Sequence, residues 1–192
     1  MSRKRKQRDF RWLMLLFLAA FCGCLIWGVY QRDKVELLLV DDTLYAAEIR
    51  NAAARYSLPP ELVRALILRE SRFDRDAVGE DGEIGLMQIH PKGAVAEWAR
   101  INKCSVPSER ELFTVEKNLD IGCWYLARAL KRWEKYRCST ELALAEYNAG
   151  AKNASRWVPS DPDGDAVKNI DFPGTKTYVE YITARYKYYL SE

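Results

Sequence analysis

Glu70 is an acid placed where helical spacing asks for an apolar side chain. It follows Val63, Leu66 and Ile67 by seven, four and three residues, so on an α-helix it shares a stripe with them and with Leu62. A carboxyl group on a core-facing stripe loses its water, which penalises the charged form and raises its pKa. A carboxylic acid still protonated near neutral pH can act as a general acid, for example toward the leaving oxygen of a glycosidic bond. Further along, Gly85-Leu86-Met87-Gln88 makes a compact turn with a polar tip. Gln88 and Asn148 carry amides that both donate and accept, which suits hydroxyl and acetamido groups.

Other polar residues point away from metal chemistry. His90 is the one histidine of the chain, so no multi-histidine metal site can form, and a packed or surface role is expected. Asp161, Asp163 and Asp165 alternate, but a calcium loop starting at Asp161 would put Phe172 at the twelfth position, where Glu is needed. A solvated acidic loop is expected there, and no cofactor or metal. Glu146 adjoins Tyr147, and neighbours on a helix face different ways. It is expected to face solvent; facing the cleft instead, it would supply a second carboxylate.

The elements that must position these residues read mainly as helix. Thr43 is expected to cap a helix running to Tyr56, with Leu44, Ala47, Ile49 and Ala53 as buried candidates. Ser57-Leu58-Pro59-Pro60 ends it, and Pro60 starts the helix that carries Glu70 and ends near Arg72. Residues 74–90 hold Gly79, Gly82 and Gly85, a stretch able to bend around a ligand and to include a small β-hairpin. Helices are expected over Pro91–Asn102, Val115–Lys135, Thr140–Tyr147, Ala151–Trp157 and Thr175–Leu190, with Gly122 allowing a close approach to the long one. Cys123 and Cys138 would lie roughly 18 Å apart along that long helix, too far to bridge. Cys104 with Cys138 is the preferred disulfide, and three buried thiols are the alternative.

Charge and hydropathy divide the chain. Residues 1–11 carry a net +5, so the remaining 181 residues sum to −2, and the folded region lacks the basic excess that nucleic-acid binding requires. Residues 12–30 contain no charged side chain. As a helix they would measure about 28 Å, close to the thickness of a bilayer core. The expected organisation is a cytoplasmic basic segment 1–11, a single transmembrane anchor 12–30, a stalk 31–42, and a domain 43–192 outside the cytoplasm. Lipidation at Cys24 and cleavage of the segment are the alternatives.

Several motifs in order carry a resemblance: ESRFD from Glu70, GxxGxxGLMQI from Gly79, NLxxGxxYL from Asn118, LAxYNAG up to Gly150 and a late Thr177-Tyr178-Val179. Over about residues 45–190 the chain resembles the family-1 lytic transglycosylases. That resemblance implies a mainly α, lysozyme-like (goose-lysozyme-type) domain acting on bacterial peptidoglycan strands; with the anchor read above, the expected place is the bacterial inner membrane, with the catalytic domain in the periplasm or otherwise outside the cytoplasm. It implies that Glu70 protonates the oxygen between N-acetylmuramic acid and N-acetylglucosamine. Glu70 then serves as base for the C6 hydroxyl that attacks C1, giving a 1,6-anhydromuramic end. It places Ser71, Met87 (through its backbone), Gln88, Tyr147 and Asn148 at the substrate, and Tyr178 in hydrogen-bonding reach of Glu70. Three positions depart from the family pattern: Gly79 where Ser is frequent, Gly174 where Glu is frequent, and Glu146 where Ala is usual. A goose-type lysozyme-like hydrolase and a non-catalytic glycan-binding protein of a cell-envelope complex are the competing expectations.

Overall fold

The structure, a computed structural model, describes residues 40–192. The expected basic segment, the expected membrane helix and most of the expected stalk lie outside the described residues. Among the described residues no helix is long and apolar enough to cross a membrane.

From Asp42 to Glu192 the chain forms one unit, built from helices without a named strand. Helix α1 (Ala46–Arg55) begins after a turn in which Tyr45 takes a left-handed φ of 60°, so Thr43 does not cap it. Ile49, Ala52 and Ala53 are its buried face, while Leu44 and Ala47 remain exposed. Helix α2 (Pro60–Glu70) starts on a proline, whose fixed φ and missing N–H cost nothing in a first turn. Leu62, Val63, Leu66 and Ile67 are all buried, as the stripe required, and the helix stops at Glu70 itself. Arg72 and Phe73 follow with φ of 54° and 66°, the left-handed turn that bends the chain away just after the acid.

The glycine-rich stretch is a loop rather than a hairpin. Its only pairing is two isolated antiparallel bridges, Val78 with Ile84 and Ile84 with Ile89. A π-helical turn (Pro91–Val95) runs into α3 (Ala96–Asn102). The short α4 (Glu109–Leu112) has a reciprocal capping box between Ser108 and Glu111. Helix α5 (Val115–Arg132) is the long central helix, burying Leu119, Gly122, Leu126 and Ala129. Helix α6 (Ser139–Ala149) ends at Gly150, whose φ of 81° favours glycine, and α7 (Ala151–Ala154) follows at once. Helix α8 (Pro173–Tyr189) closes the domain.

Helix α6 packs against α5, α7 and α8, and α2 packs against α8. That enclosure overturns the expectation for Glu146, which is 3% exposed and faces neither solvent nor the cleft. Leu142 to Glu146 are all buried in succession, because a helix covered on several sides has no free face to offer. The carboxylate is satisfied instead: Trp133 Nε1 donates to it at 2.8 Å and Arg132 Nε at 3.2 Å. The preferred Cys104–Cys138 bridge is absent too. Cys104, Cys123 and Cys138 are free thiols, the first exposed and the other two buried.

Candidate active site

Glu70 occupies the C-terminal end of α2, where the buried stripe reaches the surface of a cleft of about 270 Å³. Glu83, Gln88, His90, Tyr125, Tyr147 and Asn148 line the same cleft. Burial pushes the Glu70 carboxyl up to about 7, opposed by the hydrogen bond from Tyr178 and the positive charge of Arg69 and assisted by the negative charge of Glu83. Tyr178, 2% exposed on α8, donates its hydroxyl to Glu70 Oε1. Burial, together with the Glu70 charge, keeps the Tyr178 phenol well above its ordinary pKa, so it remains a donor.

The turn facing Glu70 is held from behind by one residue. Asn118, 1% exposed on α5, uses all of its amide: Oδ1 accepts the Met87 N–H at 2.8 Å, and Nδ2 donates to the carbonyls of Ile84 (2.8 Å) and Leu112 (2.9 Å). Gly85, at φ 73°, sits so close that a Cβ there would collide with Asn118 Nδ2. Gly122, a turn farther along α5, permits a similar approach, since its Cβ would stand 2.8 Å from Met87 Cβ. Met87 is therefore fully buried and presents backbone, not side chain: its carbonyl accepts the Tyr147 hydroxyl at 2.8 Å. Asn118 stands at the head of the NLxxGxxYL motif, yet nothing in sequence spacing assigns it this task. A buried asparagine on an apolar helix face was the available signal.

Each remaining candidate has a definite place. Gln88 takes a left-handed φ of 44° and donates from Nε2 to the carbonyls of Gly85 (2.9 Å) and Ala77 (3.2 Å), which fixes its amide in the cleft wall. Asn148 Oδ1 accepts the Thr175 hydroxyl at 2.8 Å, so its NH₂ is the donor end offered to a ligand. Tyr147 packs edge-on against Tyr125 with ring centroids 5.5 Å apart. Ser71 lies next to Glu70 but outside the cleft lining, its hydroxyl directed at the Ile67 carbonyl at 3.4 Å. His90 and Glu83 do line it, one expected to be merely packed or exposed and the other unnoticed in the sequence. No cluster of metal-ligating side chains occurs among the described residues.

Comparison with known proteins agrees with this architecture. The family described as the transglycosylase SLT domain matches residues 47–170. The membrane-bound lytic murein transglycosylase C of Edwardsiella ictaluri is 30% identical over 170 residues, covering 83% of this chain and 47% of that protein. Its counterpart in Pectobacterium atrosepticum is 30% identical over 147 residues, covering 71% and 41%. The chain thus spans less than half the length of these curated relatives. Among solved structures, an inactive mutant of the lytic transglycosylase Slt from Pseudomonas aeruginosa superposes with a TM-score of 0.66 at 25% identity, over 78% of this chain and 25% of that one. The 70 kDa soluble lytic transglycosylase of Escherichia coli gives 0.65 at 22% identity over the same shares, a likeness of fold. The family match takes in Glu70, the glycine-rich turn and the Tyr147–Asn148 corner together, and the chain belongs to the transglycosylase SLT domain family.

Proposed function

We propose that this domain is a peptidoglycan lytic transglycosylase. It cleaves the β-1,4 bond between N-acetylmuramic acid and N-acetylglucosamine and leaves a 1,6-anhydromuramic end. The observation that carries the reading is the Glu70 carboxyl at the cleft, which burial pushes up to about 7, where it can hold or release its proton at neutral pH. Glu70 gives its proton to the glycosidic oxygen as the C1–O bond breaks. The resulting carboxylate, stabilised by the Tyr178 hydroxyl, takes the proton from the muramic acid C6 hydroxyl. O6 then bonds to C1. Glu70 ends protonated, no water is consumed, and no cofactor is required.

The other cleft residues bind and orient the strand. Asn148 offers its NH₂, Gln88 its fixed amide, and the Tyr125–Tyr147 pair an aromatic wall. Tyr147 also donates to the Met87 carbonyl, which ties the turn to α6. A goose-type hydrolytic outcome has one observation in its favour, the second carboxylate Glu83 in the same cleft, which could activate water. Digestion of purified sacculi, followed by mass spectrometry of the released muropeptides, separates the two. Anhydro ends that vanish in Glu70→Gln support the lyase. Reducing ends alone transfer the reading to a hydrolase, and binding without turnover to a glycan-binding protein.

For the whole chain, residues 12–30 serve as a single membrane anchor with residues 1–11 in the cytoplasm, residues 31–42 as a stalk, and the catalytic domain on the periplasmic side of the bacterial inner membrane. The uncharged stretch with its basic flank supports this arrangement, as does the description of the relatives as membrane-bound.

A further inference from the structure

Glu83 is in the cleft because residue 79 has no side chain. Gly79 donates its N–H to the Glu83 carbonyl at 2.8 Å, closing the turn, and the Glu83 side chain folds back so that Oε2 accepts the Asp81 N–H at 3.1 Å. A Cβ built on Gly79 would collide with Glu83 Oε2 and stand 2.8 Å from Gln88 Oε1. Gly79 is not among the residues with left-handed φ, so its backbone would accept an ordinary residue. Space, not torsion, couples the two positions: either residue 79 carries a side chain or the Glu83 carboxylate occupies that place.

The charge surroundings of this carboxylate are one-sided. Among the described residues that line the cleft there is no Lys or Arg. Arg69, the cation that acts on Glu70, lies over the Tyr178 ring at 5.4 Å and outside that lining. His90 Nδ1 accepts the Lys92 N–H at 3.1 Å, which leaves Nε2 as the ring's N–H. The cleft therefore combines neutral amides and phenols with a single negative group beside Glu70.

We infer that Glu83 is a specificity-determining residue, whose carboxylate selects glycan in which a hexosamine next to the scissile bond carries a free amino group over the fully N-acetylated strand. This rests on the lytic transglycosylase reading above. An acetamide offers a carboxylate one N–H and sets a carbonyl oxygen beside it. An ammonium group offers three donors and the opposite full charge, so it adds an ion-pair attraction that the neutral acetamide N–H lacks. The substrate comes from the class of reaction that hydrolyses the acetamide of a glycan hexosamine.

The test compares kcat/KM on matched glycan strands, one fully N-acetylated and one partly de-N-acetylated by chemical treatment, for wild type, Glu83→Gln, Glu83→Ala and Gly79→Ser. The wild type is expected to favour the partly deacetylated strand by roughly tenfold, the scale of one charge-assisted contact. Glu83→Gln, which can still accept the Asp81 N–H, brings the ratio to about one, as does Glu83→Ala. Gly79→Ser does the same, because the new Cβ expels the carboxylate; since that Cβ also presses on Gln88 Oε1, the variant is read by its substrate ratio and not by its absolute rate. A wild-type ratio of one overturns the inference. So does a Glu83→Gln variant that slows both substrates in proportion, the behaviour of a residue that only holds the turn. Wild-type protein that yields anhydro ends from neither strand overturns the reaction itself, which an unchanged ratio would not.

Discussion

At the scale of the residue, the proton on Glu70 is set by burial and the Glu83 charge pulling one way, and by the Tyr178 hydroxyl and the Arg69 charge pulling the other. The Tyr178→Phe substitution removes that hydroxyl but keeps the ring. A hydrogen bond to the charged form lowers a pKa, so its loss raises that of Glu70. The variant is expected to move the alkaline limb of the pH–rate profile upward from about 7. The turnover rate should fall roughly 10- to 100-fold, because the carboxylate formed in mid-reaction loses its donor. A profile that stays in place would remove Tyr178 from the mechanism. Stability carries the same signature. Because the folded pKa is raised from 4.5 to about 7, the native state binds more protons than the unfolded chain between those values. Stability therefore falls as pH rises through that window and stays lower above it. Glu70→Gln has no such loss, and at pH 8 it should exceed wild type by up to about 3 kcal/mol while being inactive, the difference vanishing near pH 4. Equal melting temperatures at pH 8 would contradict the buried-acid account.

At the scale of the element, Asn118 ties α5 to the turn that faces Glu70. Asn118→Ala strands the Met87 N–H and takes a donor from the Leu112 and Ile84 carbonyls, the latter keeping the Ile89 N–H, and should cost about 2–3 kcal/mol in denaturant melts. Activity should fall further than the population of unfolded protein explains, since the Met87 carbonyl also holds Tyr147. A variant with wild-type kinetics would show that the turn keeps its shape unaided. Periodicity made the α2 stripe legible, although Ala65 and Leu68 are buried beside it, and Gly122 could be read as a place of close approach because the buried positions of α5 follow helical spacing. Glu146 could not be read that way: α6 is covered by three neighbours, and side-by-side positions lose their inside–outside meaning. The left-handed turn at Arg72–Phe73 and the place of Glu83 were equally hidden. Both depend on contacts across the loop rather than on residue type. The glycine spacing announced only that the loop bends.

At the scale of the whole molecule, the unit from Asp42 onward has its own core and holds every residue of the cleft around Glu70. A chain beginning at residue 40 is expected to be soluble, to keep its helical circular dichroism and to release muropeptides from sacculi. The full chain should sediment with membranes and resist extraction by high salt. Recovery of the full chain in the soluble fraction would refute the anchor. Such a shortened domain would retain three cysteines of unlike accessibility. Cys104 is open to reagent, whereas Cys123 is fully enclosed on α5 and burial pushes its thiol up to about 12. An alkylating agent at neutral pH should thus modify Cys104 first, Cys138 (8% exposed) more slowly, and Cys123 only when the helices separate. The domain carries its own stopwatch: mass added at Cys123 counts the moments when the fold is open, with no dye, tag or denaturant in the tube.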